Sequence, residues 1–445
     1  MPDSSDLVLT TPPDRSSDAI QAYVRTPADL RVTLDGVPAP SLPGEPVPTD
    51  GSLPKAALAT FGRRGFGVYV HIPFCASRCG YCDFNTYTAA ELGPGILREE
   101  FAERILAEIA LATRVLDQPP LVNTVFFGGG TPTLLPPDDL ARILGAIVEG
   151  FGLAPNAEIT TEANPESVDL GHLRRLRQAG FTRVSLGMQS AVPHVLGVLE
   201  RQHTPGGAVV AAQQAADAGF RHVNLDLIYG TPGERPEDWE RSLGEAARLV
   251  AAGVVDHVSA YSLIVEDGTR LATRIRRGEL PAPDPDMAAD RYLAAERMLT
   301  GAGLDWYEVS NWARDPGSRC RHNLLYWSSG DWWGFGPGAH SHIGGVRWWN
   351  VRHPARYARA LAAGRSPGHG REVLTPEERH TEAVMLGLRL LAGLPLAVLH
   401  PAGRDAAAVA VRNGLLEPAN HAQGEAVLTL RGRLLADRVV RDLLP

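Results

Sequence analysis

The sequence predicts an α/β fold: a parallel sheet curled into a partial or full (β/α) barrel, followed by a small C-terminal α+β unit. Three observations predict it. Short apolar runs alternate with amphipathic helical segments from residue 66 onward, Gly180, Gly219 and Gly253 fall just past helix ends, and a cysteine-rich loop directly follows the first apolar run. The predicted strands are 67–72, 123–127, 158–162, 183–186, 222–228 and 257–262, each apolar and bounded by turn residues. Between them, helical periodicity covers 98–115, 137–150, 170–180, 206–219 and 239–252. A glycine after a helix end supplies a left-handed residue at little steric cost. Serial strand–helix units imply parallel pairing with right-handed crossovers, and chemistry then sits at the C-terminal ends of the strands.

Composition narrows the class. The 445 residues carry 43 Lys+Arg against 51 Asp+Glu, a net charge of −8, and Lys55 is the single lysine. That balance gives no electrostatic case for nucleic acid. Four cysteines in this length argue against a secreted disulfide scaffold. No run approaches about 18 uninterrupted apolar residues, which excludes an integral membrane protein. The start of the chain, with Asp3, Asp6 and Asp14, lacks the basic-then-apolar pattern of a secretory signal. A cytoplasmic protein is expected. Residues 1–60, rich in Pro, Ser and Asp, are expected as a disordered or loosely attached tail. The barrel core is assigned to 61–303 and an irregular aromatic segment to 304–371, which with Trp306, Trp312, Trp327, Trp332, Trp333, Trp348 and Trp349 holds all but one of the tryptophans. The C-terminal unit, 372–445, shows a helical pattern at 376–391, a short strand at 426–430 and a second helix at 431–444, which together suggest a winged-helix-like module.

The decisive motif is His71-Ile72-Pro73-Phe74-Cys75-Ala76-Ser77-Arg78-Cys79-Gly80-Tyr81-Cys82-Asp83-Phe84, a C-x3-C-x2-C loop after the first strand. Three thiolates so spaced can hold three irons of a cube and leave the fourth open to a ligand. Unrelated buried thiols and a zinc site with a distant histidine are the alternatives, but zinc favours paired C-x2-C units. Phe74, Tyr81 and Phe84 would form an apolar collar that limits solvent. Further marks fall at successive strand ends. Gly128-Gly129-Gly130-Thr131-Pro132-Thr133 follows the second strand, where glycines allow close backbone approach to a ligand. Glu162 ends the third strand, Gln189 follows the fourth, Arg201 begins a later loop, and Asp226 lies in the fifth. Together they describe a ligand-lined barrel mouth.

On these residues the sequence resembles the radical S-adenosylmethionine (SAM) superfamily. The resemblance implies a partial (β/α) TIM-like barrel, a 4Fe–4S cluster on Cys75, Cys79 and Cys82, SAM at the open iron and an external electron donor. More narrowly, the chain from about residue 66 is similar to the family that unites oxygen-independent coproporphyrinogen III oxidase with a radical-SAM heme chaperone. That resemblance implies that Tyr69, Gly129, Glu162 and Ala260 contact the cluster-bound SAM. Tyr81, Gly130, Thr131, Gln189, Arg201 and Asp226 match positions that contact a second SAM in the oxidase.

Two features choose between the relatives. The oxidase has a fourth cysteine where this sequence has Phe84, and Arg321-His322-Asn323-Leu324-Leu325-Tyr326-Trp327 resembles the chaperone's H-N-x-x-Y-W motif. An exposed His322 beside Tyr and Trp would suit axial ligation of heme. The alternative is that the aromatics close the barrel bottom and His322 only hydrogen-bonds. Cys320 reads as a bystander thiol. The expectation is a heme chaperone that binds cluster, SAM and heme and hands heme to an acceptor protein, respiratory or membrane-associated, with no catalytic residue assigned. The alternative is the decarboxylating oxidase.

Overall fold

The computed structural model describes residues 44–92, 98–202, 204 and 206–445. Strand β1 (Phe66–Ile72) lies in the middle of a large sheet and starts a run of parallel neighbours: β2 (Val122–Gly129), β3 (Leu153–Ala163), β4 (Arg183–Gln189), β5 (His222–Tyr229) and β6 (His257–Ser262). The helices between them are α1 (Phe101–Leu116), α2 (Pro137–Phe151), α3 (Leu170–Ala179), α4 (Gly207–Asp217) and α5 (Pro236–Ala251), with α6 (Pro285–Gly301) after β6. Gly180, Gly219 and Gly253 have the positive φ expected of them. The arrangement is a partial (β/α) barrel. Side chains alternate along each strand. Val68, Val70 and Ile72 pack into the core, while Tyr69 and His71 take the opposite face, opposite Phe126 and Gly128 of β2.

The segment expected to be irregular instead extends the sheet at both ends. Beyond β6, β7 (Asp305–Glu308) and β8 (Asn311–Ala313) form an antiparallel pair, with β8 against β6. On the other side of β1, β9 (Asp331–Phe335) pairs parallel, and β10 (His340–Ile343), β11 (Val346–Asn350) and β12 (Gly368–Val373) follow antiparallel. These strands are short and several are buried on both faces, so they show no period of two. Part of the expected tail is also ordered. Glu45 and Arg371 exchange backbone hydrogen bonds at 2.7 and 2.8 Å, and Ala57 is buried. Residues 1–43 lie outside the described residues.

In the C-terminal unit the first helix ends at Gly387, and the predicted last helix is split into Leu430–Leu434 and Ala436–Leu443. The expected strand shrinks to Glu425–Ala426, paired with Leu394–Pro395. Among the described residues no helix is long and apolar enough to cross a membrane.

The floor of the barrel, at the N-terminal ends of the strands, is polar and closed. Glu158 accepts a hydrogen bond from Arg183 Nε–H at 3.0 Å, and its other oxygen accepts the backbone N–H of Arg321 and His322 at 2.9 and 3.2 Å. Those N–H groups belong to the first turn of α7 (Arg321–Trp327), where nothing within the helix can accept them. Both Arg183 and Glu158 are nearly inaccessible to solvent. Removing one partner of such a pair strands the other charge. We therefore expect Glu158→Ala to lower stability by about 3–5 kcal/mol in chemical denaturation, and an unchanged midpoint would show that the pair does not hold the floor.

Candidate functional site at the barrel mouth

The Cys loop leaves β1 and is clamped by backbone. Phe74 and Tyr87 form a bridge, with Cys75 N–H donating to the Tyr87 carbonyl at 3.0 Å and Tyr87 N–H to the Pro73 carbonyl at 2.7 Å. From the end of β2, Gly130 N–H donates to the Ile72 carbonyl at 2.8 Å and Thr131 N–H to the Phe74 carbonyl at 2.7 Å. A Cβ at Gly130 would stand 2.4 Å from the Phe74 oxygen, so only glycine lets these strand ends meet. At the far side of the loop, Gly80 N–H donates to Leu199 at 3.0 Å, and Leu271 N–H donates to Gly80 at 2.8 Å.

Cys75, Cys79 and Cys82 are free, partly buried thiols within this frame, whereas Cys320 is buried at the floor near Glu158. Burial pushes the Cys82 thiol up to about 11, with the neighbouring Cys79 and Cys75 adding to the shift. Burial likewise raises Cys75, and Cys79 contributes. Three thiolates repel one another here, so a cationic metal group is the partner that would stabilise them together. Among the described residues no three His, Cys, Asp or Glu side chains are placed to hold a metal ion. A single zinc would need its ligands to converge on one point, but a cube takes each thiolate at a separate iron. Three thiols on one short loop therefore suit a cluster with one open iron.

Around the loop stand the residues expected to hold SAM. Glu162 accepts the Gly129 N–H at 3.0 Å, fixing the glycine turn at the mouth. Tyr69 donates from its hydroxyl to His71 Nδ1 at 3.0 Å, because His71 must donate its Nε2 proton to the Asn85 carbonyl, also 3.0 Å away. Burial lowers the His71 pKa to about 4, so the ring is neutral and can take both roles. Ala260 is fully buried in β6, its N–H donating to the Ser310 carbonyl at 2.8 Å. Asp226 receives the Ser185 hydroxyl at 2.6 Å and the Asn224 amide at 2.9 Å, and burial raises its pKa.

Arg201 approaches the loop itself, with Nη1 3.6 Å from Cys79 Sγ and Nη2 donating to the Gly187 carbonyl at 3.3 Å. Burial works against its charge, but Tyr81 and Cys79 outweigh burial and hold its pKa above the usual arginine value. Gln189, held at φ +56 where β4 bulges, has a buried Oε1 with no hydrogen-bond partner, and Arg201 Nε is buried and unpartnered too. Unmet buried polar atoms at a barrel mouth are what a polar ligand would satisfy. Tyr81 is half-buried against an apolar cluster that includes Val195, Leu199 and Leu271, and burial raises its phenol pKa.

His322 departs from its expected setting. It is 1% exposed on the floor, stacked on Phe126 at 5.1 Å, with Nδ1 and Nε2 each 2.9 Å from the hydroxyls of Thr124 and Tyr326. Burial lowers its pKa to about 3. α7 packs its first turn under the sheet, so both ring nitrogens are engaged and neither faces solvent. As folded, this imidazole braces the barrel bottom.

One brace has no counterpart in the sequence reading. The Gly336-Pro337-Gly338 turn lies against the Cys loop, where Asn85 Nδ2 donates to the Pro337 carbonyl at 2.8 Å and a Cβ at Gly336 would stand 2.5 Å from the His71 oxygen. Glu108 of α1 holds this turn from below. It accepts the Gly336 N–H at 2.8 Å, the Asn350 amide at 2.7 Å and the Tyr357 hydroxyl. An acid on the buried face of an amphipathic helix was the available signal.

The comparisons with known proteins bear on this site. The radical SAM superfamily model matches residues 69–246. A Mycobacterium tuberculosis protein named heme chaperone HemW is 54% identical over 387 residues, covering 87% of this chain and 97% of that protein. The chain belongs to the HemW family. A Bacillus subtilis HemW is 32% identical over 379 residues, covering 83% of this chain and 97% of its own length. Among solved structures, coproporphyrinogen III oxidase (HemN) from Escherichia coli, described as a radical SAM enzyme, superposes with TM-score 0.73. It shares 22% identity and covers 91% of this chain and 96% of its own, a likeness of fold.

Burial raises the Glu108 pKa from 4.5 to about 7, so the folded protein keeps a proton that the unfolded chain gives up between these values. Stability from this group is therefore greatest below about pH 4.5 and falls as pH rises to about 7. Glu108→Gln, neutral throughout, should lack this slope. Wild-type stability relative to the variant is expected to fall by on the order of 3 kcal/mol across that range, and parallel denaturation curves at all pH values would refute the assignment.

Proposed function

We propose that this HemW-family protein is a heme chaperone built on a radical-SAM scaffold: it binds a 4Fe–4S cluster, SAM and heme, and delivers the heme to an acceptor protein. The observation that carries the reading is the near full-length match to relatives named heme chaperone, supported by Phe84 in place of the oxidase's fourth cysteine. Cys75, Cys79 and Cys82 would hold three irons. When bound, the cluster supplies an open iron for SAM and a route for one electron from an external donor.

This chain's own residues do the positioning. Glu162 and the Gly129–Thr131 turn would bind the polar ends of SAM, with Tyr69 and Ala260 lining the site. Arg201, beside Cys79, would stabilise negative charge on the ligating sulfur. Gln189 and Asp226 would line the same mouth, with Tyr81 on its apolar side. His322 as an axial heme ligand would require breaking one of its two hydrogen bonds and opening the buried floor around it, so heme is better sought on an accessible surface.

Two experiments test the reading. After anaerobic reconstitution, Cys75→Ala, Cys79→Ala and Cys82→Ala should each lose the cluster absorbance and iron, while Cys320→Ala keeps both. Full iron and sulfide in any of the first three would remove the cluster assignment. Supplied with SAM and reductant, the protein should bind about one heme per chain, seen as a shifted Soret band, and should leave coproporphyrinogen III unchanged. Turnover at about one per second would instead favour the oxidase, whose fold it shares.

A further inference from the structure

We propose that the cavity of about 370 Å³ between β12 and the helix α8 (Pro354–Ala362) holds the paired carboxylates of a heme edge. The proposal rests on the heme-binding reading above and adds a site to it. Arg356, Arg359 and Arg365 all line the cavity, with Thr49 and Ser366 beside them, and no Asp or Glu contributes to the wall. None of the three guanidinium groups has an ion-pair partner among the described residues.

Elsewhere in the chain Arg104, Arg142 and Arg175 each meet an acid. With a net charge of −8 there is no shortage of acids to pair with. Arg356 and Arg359 also stand three apart on one helix, a spacing at which like charges repel. Three exposed cations around one hollow make the local potential positive and would attract an anion.

The shape narrows the anion. A hollow of this size admits a small ligand or the edge of a larger one, and does not present the flat stripe that a nucleic-acid backbone would need. Three planar forks match two carboxylates, each able to take a bidentate pair of N–H bonds. The apolar Val47, Val351 and Pro367 on the wall suit the hydrocarbon adjoining those carboxylates. The location also links the cavity to the cluster loop. Just before α8, the Arg352 carbonyl accepts the Asn85 amide at 2.9 Å, and His353 packs on Tyr87 with ring centroids 5.9 Å apart.

The test is heme titration of the full chain, wild type against the triple variant Arg356→Gln, Arg359→Gln, Arg365→Gln, with the dimethyl ester of heme as a second ligand and pyrophosphate as a competitor. The expected result is that the triple variant binds heme about tenfold more weakly or worse, and that wild type loses affinity for the ester to a similar degree. Pyrophosphate should compete with heme on wild type. If the triple variant does not fold, the ester and competition arms on wild type still decide. Equal affinity for heme and its ester overturns the proposal while leaving the chaperone reading intact. Pyrophosphate binding that leaves heme affinity unchanged marks a phosphate site and also overturns it. Failure of wild type to bind heme defeats both readings.

Discussion

The mouth of the barrel depends on the backbone clamp that closes the Cys loop. The end of β2 reaches across to the Ile72 and Phe74 carbonyls, and Tyr87 secures the other side through Pro73 and Cys75. Three cysteines within eight residues would otherwise hang on a flexible loop and could not present their sulfurs in a fixed pattern. The clamp fixes the glycine turn and the thiols in one unit, so Glu162, which holds Gly129, is positioned relative to the cysteines by main-chain geometry. Arg201 then completes the electrostatics: a buried cation beside Cys79 offsets the mutual repulsion of the sulfurs.

Beneath this mouth the interior changes character from strand end to strand start. The floor is a network of buried polar side chains: Glu158 with Arg183, His257 between Asn224 and Tyr307, and His322 between Thr124 and Tyr326. Such groups are costly to bury unless every partner is present. Here the partners come from β2, β3, β4, β5, β6, β7 and α7, so the floor ties together elements far apart in sequence. A densely hydrogen-bonded bottom leaves the C-terminal ends of the strands as the site for small ligands, in keeping with barrels of this kind.

Much of this was legible in the sequence, for identifiable reasons. The six barrel strands were placed within a few residues at most ends, and the 257–262 strand matches the observed bounds, because each is an apolar run between turn-forming residues. The start of β3 was missed, since Leu153–Ala157 carries the turn-forming Pro155 and Asn156 and is partly exposed at a sheet end. Strands β7 to β12 were not legible. Trp332 and Trp333 are adjacent and both buried, one against Tyr326 and the other against Trp348, and no alternation can reveal a strand buried on both faces. His322 shows a different limit. The motif that drew attention to it is real in the sequence, but which side of a helix faces the sheet is decided by tertiary packing that a seven-residue helix cannot encode alone.

The buried placement of His322 has a consequence for how a heme carrier could be built on this barrel. A ligand deep in the floor would have to open a network in which every ring nitrogen is already engaged, and release would have to rebuild it. Transfer to an acceptor requires the reverse: a site that exchanges without unfolding its surroundings. The arginine-lined hollow beside β12 meets that requirement, since its three guanidinium groups stand exposed, and the barrel mouth holds further unpaired polar atoms in Gln189 and Arg201. They are joined through Asn85, which lies three residues beyond Cys82 and binds both the Pro337 and Arg352 carbonyls. Asn85 thus ties the Cys loop by direct hydrogen bonds to the segment that leads into the arginine helix.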